Sequence, residues 1–298
     1  MSVASILIPD FVLILLGLIM RRRFRFSEDF WLHMERMTYY ILFPALLFNA
    51  LAHNRIEFRA AAALIETGIL YTTVAMLLAY AGKFLFSLPP MSFASAFQCA
   101  YRFNSYIGFA IVGGLHQSDG IAAFALLIGF MVPLANTASV WMLARHSGGS
   151  VWGEIVRNPL ILSTLVGIAF SLSGLELPGA LDHTLKLLGS AALPMGLIAV
   201  GAGLTLRAMT QAKAAVAYFT AVKLLAAPAA AILIARLLGL QGTYFDTALV
   251  HAALPTASSA YILAVRMGGD GKLVAAIMAV NVLAAIVTLP LWLSFTRG

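Results

Sequence analysis

Apolar stretches long enough to cross a lipid bilayer follow one another along almost the whole chain. A helix needs about 20 apolar residues to cross the hydrocarbon core. Ten stretches come close to this length: residues 3–20, 37–53, 60–86, 92–115, 120–144, 158–174, 183–206, 213–238, 244–266 and 271–295. We therefore predict an all-α polytopic membrane protein with ten transmembrane helices joined by short connections.

The composition supports the membrane class over a soluble one. Of the 298 residues, 61% are hydrophobic and only 10% are charged, whereas a soluble domain carries about 25% charged residues. The net charge of +7 would favour nucleic acid as the partner of a soluble protein. Here the positive side chains lie between the apolar stretches, which is typical of membrane orientation. The expected partner is the lipid bilayer, and nucleic acid is excluded.

The distribution of Lys and Arg over the connections predicts the orientation. If the N-terminus lies outside the cytoplasm, most of these residues fall in cytoplasmic connections, including the cluster at 21–25. The positive-inside rule then favours both termini outside the cytoplasm. An even number of spans agrees with that arrangement.

The two halves of the chain repeat one another. Matching residues recur at offsets of 145 to 151: Pro44 with Pro194, Asn104 with Pro255, and Asn136 with Asn281. These offsets indicate two five-span repeats, one in residues 1–147 and the other in residues 148–298. Because five is odd, the two copies are expected to have opposite orientations in the membrane.

The fourth span is interrupted by polar residues. Arg102, Asn104 and Ser105 lie near its centre, where an unpaired charge costs several kcal/mol. We interpret this as a broken helix whose Arg102 guanidinium binds a substrate carboxylate, with Asn104 and Ser105 beside the break. The alternative is structural: Arg102 reaches one membrane surface or pairs internally, for instance with Asp10.

The ninth span is interrupted at the matching position. Pro255 lacks an amide hydrogen and clashes with the preceding turn, so it predicts a kink. The hydroxyls of Thr256, Ser258 and Ser259 would lie close to this kink. Paired interrupted spans in corresponding positions are the best sequence indication of a transporter binding site. A kinked helix whose polar side chains bond only their own backbone is the alternative.

Other polar residues within the spans are further candidates. Three asparagines could contact the substrate, although a buried Asn often bonds only a neighbouring helix: Asn49, Asn136 and Asn281. Three ionisable residues could couple protons or balance charge: His251, Lys223 and Asp10. His251 could equally be satisfied by a backbone carbonyl, and Lys223 or Asp10 could reach water at an interface.

Motifs of enzymes and metal proteins are missing from the sequence. It has no Gly-rich phosphate loop, no zinc-spaced His and Cys set and no nucleophile elbow. The single cysteine, Cys99, excludes a disulfide within one chain. We expect neither an enzyme nor a protein with a cofactor or a bound metal.

Several of these segments together resemble the auxin efflux carrier family, the PIN-like transporters within the bile acid and auxin carrier superfamily. The matching segments are YYILFPALLFNAL from Tyr39, RFNSYIGFA from Arg102, RNPLI from Arg157, LPMGLIAVGAGL from Leu193, ALPTASSAYILAVRMGGD from Ala253 and TLPLWL from Thr288. The chain resembles a short bacterial member, because it has no long hydrophilic loop between spans five and six. Its FNSYIG also differs from the crossover motif of many plant members.

The resemblance implies a specific architecture and function. It implies two inverted repeats, with spans four and nine broken and crossing at mid-membrane. Spans one, two, six and seven would form a scaffold and dimer domain, and spans three to five and eight to ten a transport domain. Family members export organic anions, and the crossover places Asn104 and Ser105 opposite Pro255 and Thr256.

We therefore expect an efflux carrier for small mono- or dicarboxylates, with an elevator-type mechanism. It would work as a homodimer in a bacterial inner membrane. A sodium-coupled anion symporter of the bile-acid type is the alternative. Sodium would need oxygen ligands near the crossover, for which Asn104, Thr256, Ser258 and Asn281 are available.

Overall fold

The computed structural model describes residues 3–24, 26–53, 58–144, 159–203, 212–257 and 259–297. This part of the chain is all-helical, with no β-strand among its residues, which confirms the predicted class. The first helices are α1 (Val3–Arg23), α2 (Glu28–Met37), α3 (Phe43–Ala52), α4 (Phe58–Leu85), α5 (Pro90–Phe97) and α6 (Ser105–Ala144). The later helices are α7 (Pro159–Ser173), α8 (Gly179–Gly203), α9 (Lys213–Ala221), α10 (Ala227–Leu237), α11 (Gly242–Ala253), α12 (Ser259–Arg266) and α13 (Gly271–Arg297).

Five helical stretches are long and apolar enough to cross a membrane. They are Arg59–Leu85, Pro90–Leu143, Gly179–Gly203, Lys213–Leu237 and Gly271–Ser294. Pro90–Leu143 has 54 residues, more than twice the length that one crossing requires, which is about 20. The protein is therefore an integral membrane protein.

The chain forms two compact units. The first unit comprises Met1–Ala61, Tyr106–Gly129 and Trp152–Gly203. The second unit comprises Ala62–Ser105, Phe130–Val151 and Leu204–Gly298. Each unit draws segments from both halves of the chain, and α6 contributes to both units. The predicted boundary between the two repeats, at residues 147 and 148, lies outside the described residues.

In the first unit, α1 and α8 approach each other through glycines. A Cβ atom at Gly17 on α1 would overlap the backbone carbonyl of Ile198 on α8. At the reciprocal contact, a Cβ atom at Gly201 on α8 would overlap the carbonyl of Ile14 on α1. Lipid tails are as apolar as leucine, so helices in a membrane associate through such close packing rather than through the hydrophobic effect.

Helix α3 packs between two further helices of the same unit by the same means. Gly167 of α7 faces Leu51 and Phe48 of α3, where an added Cβ atom would lie 2.9 Å from the Leu51 Cβ. Gly189 of α8 faces Leu46 of α3, where an added Cβ atom would lie 3.1 Å from the Leu46 Cα. Small residues therefore set the helix spacing throughout this unit.

Two π-helical turns precede prolines. Residues Thr38–Leu42 form one before Pro44, and Val222–Ala226 form the other before Pro228. A proline lacks the amide hydrogen and its ring clashes with the carbonyl four residues earlier, so the ladder is disturbed at both points. The neighbouring amides bond five residues back, as Ala227 N–H does to the Val222 carbonyl. Such widened turns are often found at functional sites.

Candidate functional site

The first helix break lies between α5 and α6, in the second unit. A short 3₁₀ turn, Gln98–Ala100, follows α5, and α6 begins at Ser105. The Gln98 carbonyl accepts bonds from the amides of both Tyr101 (3.4 Å) and Arg102 (3.0 Å), which tightens and ends the helix. Non-helical backbone therefore occupies residues 101–104, where the sequence predicted an interruption.

The second break lies between α11 and α12, in the same unit. Helix α11 ends at Ala253, and Leu254 adopts an extended conformation with φ −62° and ψ 143°. The ring of Pro255 explains this conformation, because it disfavours helical backbone in the residue before it. Extended and irregular backbone continues to residue 257, and Ser258 lies outside the described residues.

Hydrogen bonds join the two breaks directly. The Asn104 amide donates to the Pro255 carbonyl at 2.9 Å. The Thr256 hydroxyl donates to the Cys99 carbonyl at 2.6 Å. Backbone groups that the breaks leave without helical partners would be costly inside a membrane, and these bonds satisfy several of them.

A side chain adds a third bond across the breaks. The Gln98 Nε2 donates to the Ala260 carbonyl, in the first turn of α12, at 3.1 Å. Gln98 is fully buried, and its Oε1 has no hydrogen-bond partner among the described residues. The amide is therefore held in place through its donor, while its acceptor remains available.

Arg102 lies within the first break and is 8% exposed. Its Nη2 donates to the Ser259 Oγ at 3.0 Å, at the start of α12. The guanidinium therefore connects the first break to the helix that follows the second one.

Two more basic residues lie before the second break. The Lys223 Nζ donates to the Ala252 carbonyl at 3.2 Å, near the end of α11. The His251 Nδ1 is hydrogen-bonded to the Tyr71 hydroxyl of α4, and the His251 ring centroid lies 4.0 Å from that of Phe103. Both side chains are almost completely buried.

The charges of the helix ends follow from this arrangement. Helices α6 and α12 begin at the breaks, so both direct the positive end of their dipole there. The preceding helices end at the breaks with carbonyls, which Thr256 and Lys223 bond. Within the second unit, the site therefore combines the N-terminus of α12 with basic side chains, which suits an anion.

Away from the breaks, Asp270 holds α5 to the turn between α12 and α13. Its Oδ2 accepts from the Ser92 hydroxyl at 2.9 Å, and its amide donates to the Ser95 Oγ at 2.8 Å. Its Oδ1 caps α13 by accepting from the Leu273 amide at 3.0 Å. These bonds hold α5, which precedes the first break, against the turn that follows α12, the helix after the second break.

Comparison with known proteins identifies the family. The model of the family described as "Membrane transport protein" matches residues 134–293, which is more than half of the chain. The chain belongs to this membrane transport family.

Relatives over the full length are prokaryotic transporters. The transporter YfdV of Escherichia coli (strain K12) is 28% identical over 98% of this chain and 96% of its own length. The "Putative malonate transporter" of Rhizobium meliloti (strain 1021) is 26% identical over 96% of this chain and 93% of its own. Auxin efflux carrier component 3a of Oryza sativa is 32% identical, over 38% of this chain and 19% of its own. The predicted resemblance to the auxin efflux carriers is thereby confirmed.

The breaks bring together some of the residues predicted for the membrane transporter's site. Six predicted residues lie in or beside the breaks: Arg102, Asn104, Ser105, Pro255, Thr256 and His251. Lys223 joins them through its bond to α11. Asp10 lies in α1 of the first unit. The sequence had offered it as an internal ion-pair partner for Arg102, and its side chain lies outside the described residues.

The three predicted asparagines have different surroundings. Asn49, in the first unit, donates from Nδ2 to the Asp182 carboxylate at 3.0 Å. Asn281, in the second unit, donates to the Ile277 carbonyl of its own helix at 2.8 Å. Its buried Oδ1 has no partner among the described residues. Asn136 is half-buried in α6.

Sequence reasoning missed Gln98, Tyr71 and Asp246, and it expected Ser259 only as a hydroxyl close to the second break, not as the partner of Arg102. An amide within an apolar span was the available signal for Gln98, and a carboxylate within span nine was the signal for Asp246. The partners Ser259 and Tyr71 depend on the fold, because they lie 157 and 180 residues away from Arg102 and His251. Among the described residues, no group of three or more His, Cys, Asp or Glu is placed to hold a metal ion.

Proposed function

We propose that the protein is a secondary transporter that exports small organic anions, with mono- or dicarboxylates as substrates. The observation that supports this most is the pair of joined breaks in the second unit, where Arg102 bonds Ser259 at the N-terminus of α12. Backbone and side-chain donors of this kind bind carboxylates well. The name of the Rhizobium meliloti relative points to the same substrate class.

The transport mechanism we propose is of the elevator type. Both breaks belong entirely to the second unit, which supports one body that takes the anion across the membrane. The chain would have ten spans as two inverted repeats, residues 1–147 and 148–298, with both termini outside the cytoplasm. By family analogy, the first unit would hold the homodimer together in a bacterial inner membrane.

The proposal is tested by Arg102→Ala in proteoliposomes. We expect saturable carboxylate efflux to be lost, while the variant remains folded and inserted. Arg236→Ala is the matched control, because Arg236 is an exposed arginine of the same unit. Transport by Arg102→Ala with unchanged half-saturation would contradict the assignment of Arg102.

The variant Ser259→Ala tests whether Arg102 binds the anion or holds α12 in place. This change removes the hydroxyl that holds the guanidinium at 3.0 Å but keeps the positive charge. We expect weaker anion binding rather than complete loss. An effect equal to that of Arg102→Ala would assign Arg102 to holding α12 in place.

A sodium-coupled anion symporter is the second candidate. Two buried amide oxygens, Gln98 Oε1 and Asn281 Oδ1, have no donor among the described residues, and such oxygens could bind a cation. Replacing sodium with N-methylglucamine on both sides of the membrane tests this candidate. Unchanged carboxylate flux would eliminate it and leave the proposal of anion export intact.

A further inference from the structure

The last turn of α1 carries three consecutive arginines that differ in their partners. The Arg21 Nη2 donates to both oxygens of the Glu28 carboxylate, at 2.7 and 2.8 Å, and so ties the end of α1 to the start of α2. Arg22 and Arg23 are exposed, and among the described residues no carboxylate lies within ion-pair distance of either. These two guanidinium groups are therefore available to an anion from outside the chain, and a phosphate is an anion that guanidinium groups bind well.

An exposed apolar stripe of α1 leads up to these two arginines. Val12, Leu15 and Ile19 are 56%, 53% and 43% exposed, and the helical period places them on the same face as the arginines. The opposite face, with Ile14 and Gly17, packs against α8. A lipid whose acyl chains lie along the stripe would therefore bring its phosphate to the level of the two guanidinium groups.

Aromatic rings continue this apolar surface beyond the end of α1. Phe24, Phe26 and Phe30 are each at least 40% exposed. The centroid of the Phe26 ring lies 6.2 Å from that of Phe24 and 4.5 Å from that of Phe30, so the three rings form a row. Exposed phenylalanines beside basic residues are typical of segments that lie in the headgroup region of a membrane.

Helix α2 has the two-sided character of a helix at a membrane surface. On one side, Trp31 and Met34 form a buried cluster with Ala202 of α8. The other side carries the exposed polar residues Asp29 and His33. An amphipathic helix of this kind lies in the plane of the interface. The corner between α1 and α2 is thus a fixed part of the first unit, and it presents positive charge beside an apolar surface.

We propose that the corner between α1 and α2 is a binding site for an anionic phospholipid. The phosphate binds Arg22 and Arg23, and the acyl chains lie along the exposed stripe of α1. A zwitterionic lipid fits less well, because its ammonium group adds a positive charge beside the two arginines. The predicted orientation places this end of α1 at the cytoplasmic leaflet, whose surface is negative.

The test compares two lipids with the same oleoyl chains, phosphatidylglycerol and phosphatidylcholine. Their binding to the full chain, purified in detergent, is measured by native mass spectrometry for wild type and for the double variant Arg22→Gln, Arg23→Gln. An arginine near an anionic lipid surface favours binding about fivefold. We therefore expect wild type to bind phosphatidylglycerol at least tenfold more tightly than phosphatidylcholine. The double variant should bind the two lipids within about threefold of each other.

A matched double variant controls for overall charge. Arg59→Gln with Arg236→Gln removes the same charge from exposed arginines elsewhere, and it should keep the wild-type lipid preference. Equal loss of the preference in both double variants would reduce the effect to net charge and overturn the proposal. An unchanged preference in Arg22→Gln, Arg23→Gln would overturn it as well.

Thermal unfolding distinguishes lipid binding from a structural role of the arginines. Exposed arginines without a carboxylate partner contribute little to stability, so both double variants should melt at the wild-type temperature without lipid. Added phosphatidylglycerol should raise the melting temperature of wild type, because it binds the folded state, but not that of Arg22→Gln, Arg23→Gln. A lower melting temperature of that variant without lipid would assign the arginines to holding α1 in place and contradict the proposal.

A soluble phosphate tests the contribution of the acyl chains. Glycerol 3-phosphate has the phosphate of the lipid but cannot use the apolar stripe, so an excess of it should leave phosphatidylglycerol bound. Displacement would place a free phosphate on the arginines and overturn the lipid site. Either failure would leave the proposed anion transport untouched, because the helix breaks lie in the second unit.

Discussion

The two units associate their helices by different means. In the first unit, α1 and α8 approach through Gly17 and Gly201, whose backbones contact opposing carbonyls. In the second unit, Thr256 and Lys223 bond carbonyls that the helix breaks have released. Close packing uses atoms that cannot bind a solute, whereas broken helices place donors and acceptors where a solute can reach them. We therefore expect a solute to bind in the second unit.

The largest effect is expected from a methyl group at the glycine contact. Gly201→Ala places a Cβ atom against the Ile14 carbonyl, which must shift together with α1. We expect destabilisation of about 3 kcal/mol, the upper range for overpacking. Thermal unfolding in detergent measures it.

Gly203→Ala is the matched control on the same helix. Within the part of the chain that the structure describes, nothing lies within 4 Å of an added Cβ atom at Gly203, so the change should be neutral or slightly stabilising. Equal melting temperatures for the two variants would mean that glycine packing does not hold α1 to α8.

An intermediate effect is expected at the bond between the breaks. Thr256→Val keeps the shape of the side chain and removes the donor to the Cys99 carbonyl. A buried acceptor without its donor costs about 1–3 kcal/mol, and anion transport should fall as the breaks separate. Melting temperature and flux are measured together.

Two control variants accompany Thr256→Val. Thr256→Ser keeps the hydroxyl and should retain most of the stability. Thr73→Val removes an exposed hydroxyl that bonds only its own helix, at the Ile69 carbonyl, and should have little effect. Wild-type flux and stability in Thr256→Val would show that the breaks do not depend on this bond.

The smallest effect on stability is expected at Gln98. Gln98→Met loses the bond to the Ala260 carbonyl but also removes a buried oxygen that has no partner among the described residues. The two contributions oppose each other, so stability should change by less than about 1 kcal/mol. Transport should nevertheless change if Oε1 binds the substrate or a cation. A loss of stability as large as that of Thr256→Val would make Gln98 a structural residue.

The breaks themselves could be predicted from local sequence. Pro255 excludes regular helix by its covalent structure, and Arg102 beside Asn104 is costly unless protein or water surrounds it. The all-helical class followed from hydropathy, and the observed breaks lie at the predicted positions. The number of ten spans and their inverted repeat remain predictions.

The partners of the polar residues could not be predicted. Arg102 bonds Ser259, a partner 157 residues away that the sequence did not indicate. His251 bonds the Tyr71 hydroxyl of α4, which the sequence did not indicate. Asp182 lies in the first turn of α8, where it bonds Asn49 and Lys186. Such pairs depend on packing between distant segments, which periodicity and propensity do not encode.

The most direct test of the central claim is substrate protection at the first break. The variant Ser105→Cys is made with Cys99→Ala, which removes the only native cysteine, and its labelling by a maleimide is followed with increasing malonate. We predict that malonate slows labelling, and that the malonate concentration for half-maximal protection equals the concentration for half-maximal transport. The control variant Gly203→Cys, in the first unit, should be labelled at the same rate with and without malonate. Unchanged labelling of Ser105→Cys at malonate concentrations that saturate transport would contradict a binding site at the joined breaks.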